Sequence, residues 1–167
     1  RTCRRAMAVD MISTNPGVKG ESTDDKPNGE IDILAWSWGM SQSGNMHMGS
    51  GGGAGKANFQ DISFTKYVDK SSAALMKKCA NGEHYEEANL IVRKAGGKPL
   101  EYIKIKMEGV IVSSISTGGS GGEDRLTENV TLNFSKVNYT YVPQKDDGTG
   151  DATQDFGYDI ASNKELA

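Results

Sequence analysis

The sequence predicts a mainly β protein, an antiparallel barrel or sandwich with one helix. Three observations predict it. Several stretches alternate apolar and polar residues with a period of two, as half-buried strands do. Turn signals, "NPG" (15–17), "KPNG" (26–29), "AGGKP" (95–99), "TGGSGGED" (117–124) and "DDGTGD" (146–151), separate those stretches. Only one segment reads as a helix, so about eight strands must pack on one another or close on themselves. The 167 residues suit one domain with a real core.

"MAVDMISTNPG" opens the body of the chain and turns polar at once. "EIDILAWSWGMSQ" (30–42) alternates most strongly. Leu34, Trp36, Trp38 and Met40 share one face, expected to be the core face from Leu34 onward. Ala35, Ser37 and Gly39 lie on the other, small and weakly polar. "DISFTKY" (61–67) puts Ile62, Phe64 and Lys66 together. "DKSSAALMKKCANG" (69–82) is the helix, with a cap at Ser71 or Ser72, lysines in its later turns and Gly82 as the left-handed terminator. Its expected buried face is Leu75, Met76, Cys79 and Ala80, which makes Cys79 a small packing residue rather than a nucleophile. "NLIVRK" (89–94), "LEYIKIKMEG" (100–109) and "VIVSSIST" (110–117) are further strands. In "TENVTLNFSKVNYTYVP" (127–143) the apolar face passes from Val130, Leu132 and Phe134 to Val137, Tyr139 and Tyr141. That change of phase predicts a bulge or bend near Ser135-Lys136. "FGYDIAS" (156–162) is the last expected strand.

Composition narrows the function classes. Charged residues make up 25% of the chain and the net charge is −3. The opening RTCRRA differs from the rest and reads as an upstream extension or expression scar ahead of Met7. Its three arginines leave a body of net charge −6, with no basic cluster to hold nucleic acid. No apolar run approaches the roughly 20 residues that span a bilayer. Residues 7–162 then form a single domain, and 163–167 a C-terminal tail. The body keeps one cysteine, and His47 and His84 stand apart, so no disulfide, metal site or cofactor is expected. No Ser-His-Asp ordering or paired carboxylate points to catalysis, and the chain is expected not to be an enzyme.

"HMGSGGGAGK" (47–56) looks like a phosphate-binding loop, and spacing rejects it. A G-x-x-x-x-G-K-[ST] loop ending at Gly55-Lys56 needs glycine at 50 and a hydroxyl at 57. The chain has Ser50 and Ala57, and a strand-like segment follows where a helix should.

The segment "EIDILAWSWGMSQSGNMHMGSGGGAGKANFQDISFTKYVDKSS" resembles the Hcp (haemolysin-coregulated protein) family of the bacterial type VI secretion system. "SSISTGGSGGEDRLTENVTLNF" and "MAVDM…VKGES" strengthen the resemblance, which runs from Met7 to about Ile160. "ISTNPG" is more polar than the family's first strand, and the chain after Gln144 matches less well. The resemblance implies two antiparallel sheets forming a small barrel with one flanking helix. It implies hexameric rings stacked into a tube that is propelled from the cell with its spike and cargo, as in a contractile phage tail. The implied partners are further copies of the chain and the spike, sheath and effector proteins. Secretion would proceed from the bacterial cytoplasm without a signal peptide.

That gives the glycine-rich loop a purpose. At 43–56 it is long for a simple hairpin connection, and Met46, His47, Met48, Gly51, Gly52, Gly53 and Lys56 become candidate inter-subunit or stacking contacts. Ala35, Ser37 and Gly39 become candidate lumen or effector contacts, although alternation does not distinguish a lumen from an outer wall. Two other classes compete. A monomeric β-barrel binding module for a glycan or lipid would need exposed aromatics. A toxic hydrolase would need a further domain.

Overall fold

The computed structural model describes residues 8–13, 18–21, 30–44, 55–94 and 100–167. These form eleven antiparallel strands and one helix: β1 (Ala8–Ser13), β2 (Ile31–Ser37), β3 (Met40–Gln42), β4 (Ala57–Phe59), β5 (Ile62–Tyr67), α1 (Ser71–Asn81), β6 (His84–Lys94), β7 (Leu100–Thr117), β8 (Thr127–Asn133), β9 (Lys136–Tyr141), β10 (Gln154–Asp159) and β11 (Lys164–Leu166). The expected extension at 1–6 lies outside the described residues.

Nine strands form one sheet in the order β11-β10-β9-β7-β6-β1-β2-β5-β8, and β3 with β4 forms a separate ribbon. The two antiparallel sheets are thus of very unequal size. β7 also pairs with β8. The two expected strands at 100–109 and 110–117 are thus one strand of 18 residues. Its first half pairs with β9 from Ile103 to Glu108, and its last part with β8 from Ile111 to Thr117. The change of neighbour falls at Gly109, which takes a left-handed φ of 62°. Opposite it the predicted bend is present: β8 stops at Asn133 and β9 starts at Lys136. Ser135 bridges the gap, donating from its backbone N–H and from Oγ to the Glu108 carbonyl, each at 3.0 Å.

One cluster of buried side chains joins β2 (Ile31, Ile33), β5 (Ile62, Phe64), β6 (Leu90), β7 (Ile105, Met107, Val110, Val112), β8 (Val130, Leu132) and β9 (Val137). Laid flat, nine strands at about 4.8 Å spacing would span roughly 38 Å. Their inner residues meet only because the sheet curls, as right-handed strand twist favours.

Within β2 the face pattern departs from simple alternation. Ile31 and Ile33 are buried on odd positions, Leu34 is 47% exposed, and Trp36 and Trp38 pack against the core on even ones. The register against β5 slips between Ile33 and Ala35. An extra residue there flips every later side chain to the opposite face. The tryptophan face therefore turns inward from Trp36, not from Leu34 as expected.

Lys66 is fully buried with Ile62 and Phe64 on the face that alternation assigned to it. Its ammonium sits 2.5 Å from Glu128 Oε1 and donates to Asp69 Oδ1 at 2.9 Å, the Tyr67 carbonyl at 2.9 Å and Ser72 Oγ at 3.2 Å. Ser72 Oγ in turn donates to Glu128 at 2.6 Å. The same group caps α1. Asp69 Oδ1 accepts the Ser71 N–H at 2.8 Å, and Ser72 Oγ accepts the Asp69 N–H at 3.0 Å, a reciprocal arrangement of the capping-box kind. The cap is thus Asp69 rather than Ser71 or Ser72. The helix buries Ser71, Ser72 and Leu75, while Met76 and Ala80 are exposed, which corrects the expected face by about one position. Gly82 terminates it with φ 69° and an N–H donated to the Lys78 carbonyl, as expected. At the C-terminus the supposed tail contributes β11, which pairs with β10.

Candidate functional site

β2 presents Ala35 and Ser37 on the exposed surface, with the tryptophans on its other side. Across the ladder Ala35 lies opposite Thr65 and Ser37 opposite Ser63. The alternation that buries Ile62, Phe64 and Lys66 turns Ser63 and Thr65 outward. On β8, burial of Val130 and Leu132 turns out Asn129, Thr131 and Asn133. The two rows are tied laterally. Thr65 Oγ1 donates to Asn129 Oδ1 at 2.7 Å, and the Ser63 and Thr131 hydroxyls are 3.3 Å apart. The face continues onto β7, where Ser114 stands opposite Thr131 and Ser116 opposite Asn129. At its margin Asp61 accepts from Ser113 Oγ at 2.9 Å and from Asn133 Nδ2 at 2.8 Å.

The result is a four-strand wall of short hydroxyl and amide side chains. The outward face where β6 meets the first half of β7 is different. Lys106 there lies 3.2 Å from Glu87 and 3.7 Å from Glu108. The Asn89 amide and Lys106 hold the Glu87 carboxyl below the usual carboxylate range, so that face is a charged, paired surface.

Alternation placed Ala35 and Ser37 on the outward face of β2, where the structure has them, but did not bring in their neighbours on β5, β7 and β8. The signal was the polar half of "DISFTKY", "TENVTLNF" and "VIVSSIST", whose apolar half alone was read. Gly39 is not part of this wall. It lies past the end of β2, where its carbonyl accepts the Gln60 N–H at 2.9 Å beside the β3–β4 ribbon. Lys56 is exposed at the start of β4. Met46, His47, Met48, Gly51, Gly52 and Gly53 lie outside the described residues.

Among the described residues no group of three or more His, Cys, Asp or Glu could hold a metal ion. No helix among them is long and apolar enough to cross a membrane.

The sequence model of the family described as "Type VI secretion system effector, Hcp" matches residues 12–141. The chain is 60% identical to Protein hcp1 of Pseudomonas aeruginosa over 159 residues, 94% of this chain and 98% of that protein. This chain belongs to the Hcp family. Solved structures agree. Hcp1 from Salmonella typhimurium is similar at a TM-score of 0.78 and 38% identity, over 97% of this chain and 100% of that one. A structure described as a type six secretion system protein reaches a TM-score of 0.89 at 29% identity, over 96% of this chain and 100% of the other. The fold is accordingly mainly β and antiparallel, and among the described residues its one helix, α1, packs on β7.

Proposed function

We propose that this chain is a structural subunit of the type VI secretion inner tube, in which copies close into hexameric rings and the rings stack. In this reading the sheet curls into a barrel, which the added β7–β8 pairing supports. The wall of β2, β5, β8 and β7 lines the lumen and meets effector proteins in transit. Loop 43–56 contributes to contacts between copies. The spike and sheath proteins are the other partners, and the assembled tube leaves the cell through the apparatus.

The observation that carries the lumen assignment is the contrast between the two outward faces. A solvent-facing sheet surface is ordinarily rich in charge, as the patch of Glu87, Lys106 and Glu108 on β6 and β7 is here. The Ser37 face instead holds short side chains that hydrogen-bond to one another. Such a wall offers weak polar contacts without strong attraction, which suits a passage that must both retain and release cargo. A glycan- or lipid-binding module is not favoured, because Trp36 and Trp38 pack against the core rather than forming an exposed platform.

Native mass spectrometry of the purified protein is expected to show six subunits in a closed ring. A stable monomer at micromolar concentration would sink the ring reading. The wall is tested separately by Ser37→Gln and Ser37→Arg. Ser37 is exposed, so both variants should keep the ring mass. Co-purification of a small effector with the rings should fall, more steeply for Arg, which adds both bulk and charge. Undiminished effector recovery with rings of verified size would put Ser37 outside the lumen.

A further inference from the structure

The β3–β4 ribbon is the stem of loop 43–56, yet it is not laddered into the nine-stranded sheet. Its base is closed by two hydrogen bonds, from the Gln60 N–H to the Gly39 carbonyl at 2.9 Å and from Trp38 Nε1 to the Gln60 carbonyl at 3.0 Å. Its orientation against the rest of the molecule rests on aromatic side chains. Phe59 of β4 stacks on Trp38 with ring centroids 6.4 Å apart, and Trp38 meets Phe134 at 6.3 Å. The nearest ring to Phe59 comes from the far end of the chain: Tyr158 of β10 lies 4.9 Å away.

Tyr158 is itself held in place. Its hydroxyl donates to Asn163 Oδ1 at 2.8 Å. Asn163, in the turn between β10 and β11, has a left-handed φ of 55°. Just after β10, the Ile160 N–H donates to the Ser135 carbonyl at 2.8 Å, which fixes the turn to the break between β8 and β9. The C-terminal hairpin is therefore an edge of the large sheet that presses an aromatic ring on the ribbon.

We propose that the β10–β11 hairpin sets the orientation of the β3–β4 stem, with Tyr158 as the positioning residue. The proposal builds on the inter-subunit role given above to loop 43–56: the hairpin would aim the loop's base toward a neighbouring copy. Among the described residues the stem joins the large sheet through no backbone ladder, so its free energy of reorientation is small and the loss of one ring contact is enough to loosen it.

Hydrogen exchange on the purified full chain tests this. Tyr158→Ala should speed exchange of the ribbon amides in 40–44 and 55–60 by about three- to tenfold, the worth of one aromatic pair. Exchange in β5 and β8 should stay unchanged. Tyr158→Phe keeps the ring and loses only the bond to Asn163, so its ribbon should exchange close to the parent rate. Coupling is reciprocal, and Phe59→Leu should in turn speed exchange in 164–166. That arm keeps the test decisive if Tyr158→Ala does not fold. Ribbon exchange unchanged in Tyr158→Ala, or hairpin exchange unchanged in Phe59→Leu, overturns the proposal. Tube growth from variant rings, followed by electron microscopy, separates it from the role of the loop. Faster ribbon exchange with normal tubes upholds the positioning by Tyr158 and removes the stacking role of loop 43–56.

Discussion

Lys66→Ala is expected to destabilise the protein by about 3–5 kcal/mol, read as a lowered urea midpoint. The ammonium is fully buried and holds two carboxylates, one on β8 and one at the start of α1. Its removal leaves Glu128, 0% exposed, as an uncompensated buried acid, and frees Asp69 from the strand that positions it. The cost is the price of stranding charge, not the strength of the ion pair. The matched control is Lys66→Met with Glu128→Leu, which removes both charges and refills the volume. Replacements of that kind are often neutral or stabilising, so the double variant should recover most of the loss. Asp69 still caps the helix in it through the Ser71 N–H. A midpoint shift of Lys66→Ala worth less than about 1 kcal/mol would mean that water or a protonation change relieves the stranded carboxylate.

Gly109→Val is expected to cost about 2–3 kcal/mol, from a side chain forced into left-handed backbone and a β-branched one at that. The residue is exposed, so no burial is lost with it. A Cβ at 109 would also run into Ser135 Oγ, the group that bridges the break between β8 and β9. Two contributions are therefore separable. Gly109→Ala in a Ser135→Ala background removes the collision and keeps the backbone strain, and should be milder than Gly109→Ala alone. Equal losses in the two backgrounds would show that the collision is relieved by a shift of Ser135.

Much of this was legible in the sequence, and the gaps have physical causes. "DISFTKY" and "TENVTLNF" pair with each other in unbroken register, so period two placed their inward faces correctly, including the inward Lys66. The bend at Ser135 was legible because the apolar phase changes within one run. The slip at Leu34 was not, because a bulge is set by the register of a partner strand that a single run does not contain. The helix cap was misplaced by two residues for a similar reason: Asp69 outcompetes the serines through its contact with Lys66, a residue placed by the sheet. Alternation gave the outward orientation of Ser37, but the polar face it shares depends on strand order, which brings β5, β8 and β7 beside β2. The family was legible from the tryptophan strand and the glycine-rich block, and the comparisons bear it out.

The placement of β1 has a consequence for how the chain reaches its native state. β7 forms its pairings with β6, β8 and β9, strands close to it in sequence. Loop closure for these is short, and they are the contacts that form early. β1 is different: Val9 pairs with Ile33 on one side and with Val92 on the other. The first strand among the described residues is thus inserted between two parts of the sheet that are themselves far apart in the chain. During synthesis it waits until β6 has emerged from the ribosome. Until it docks, β2 and β6 each carry an unpaired edge of apolar sequence, the kind of edge that recruits strands from other molecules. In the tube reading proposed above, where copies gather at high local concentration, a slow insertion of β1 would lengthen the interval during which wrong pairings between chains compete with the right one.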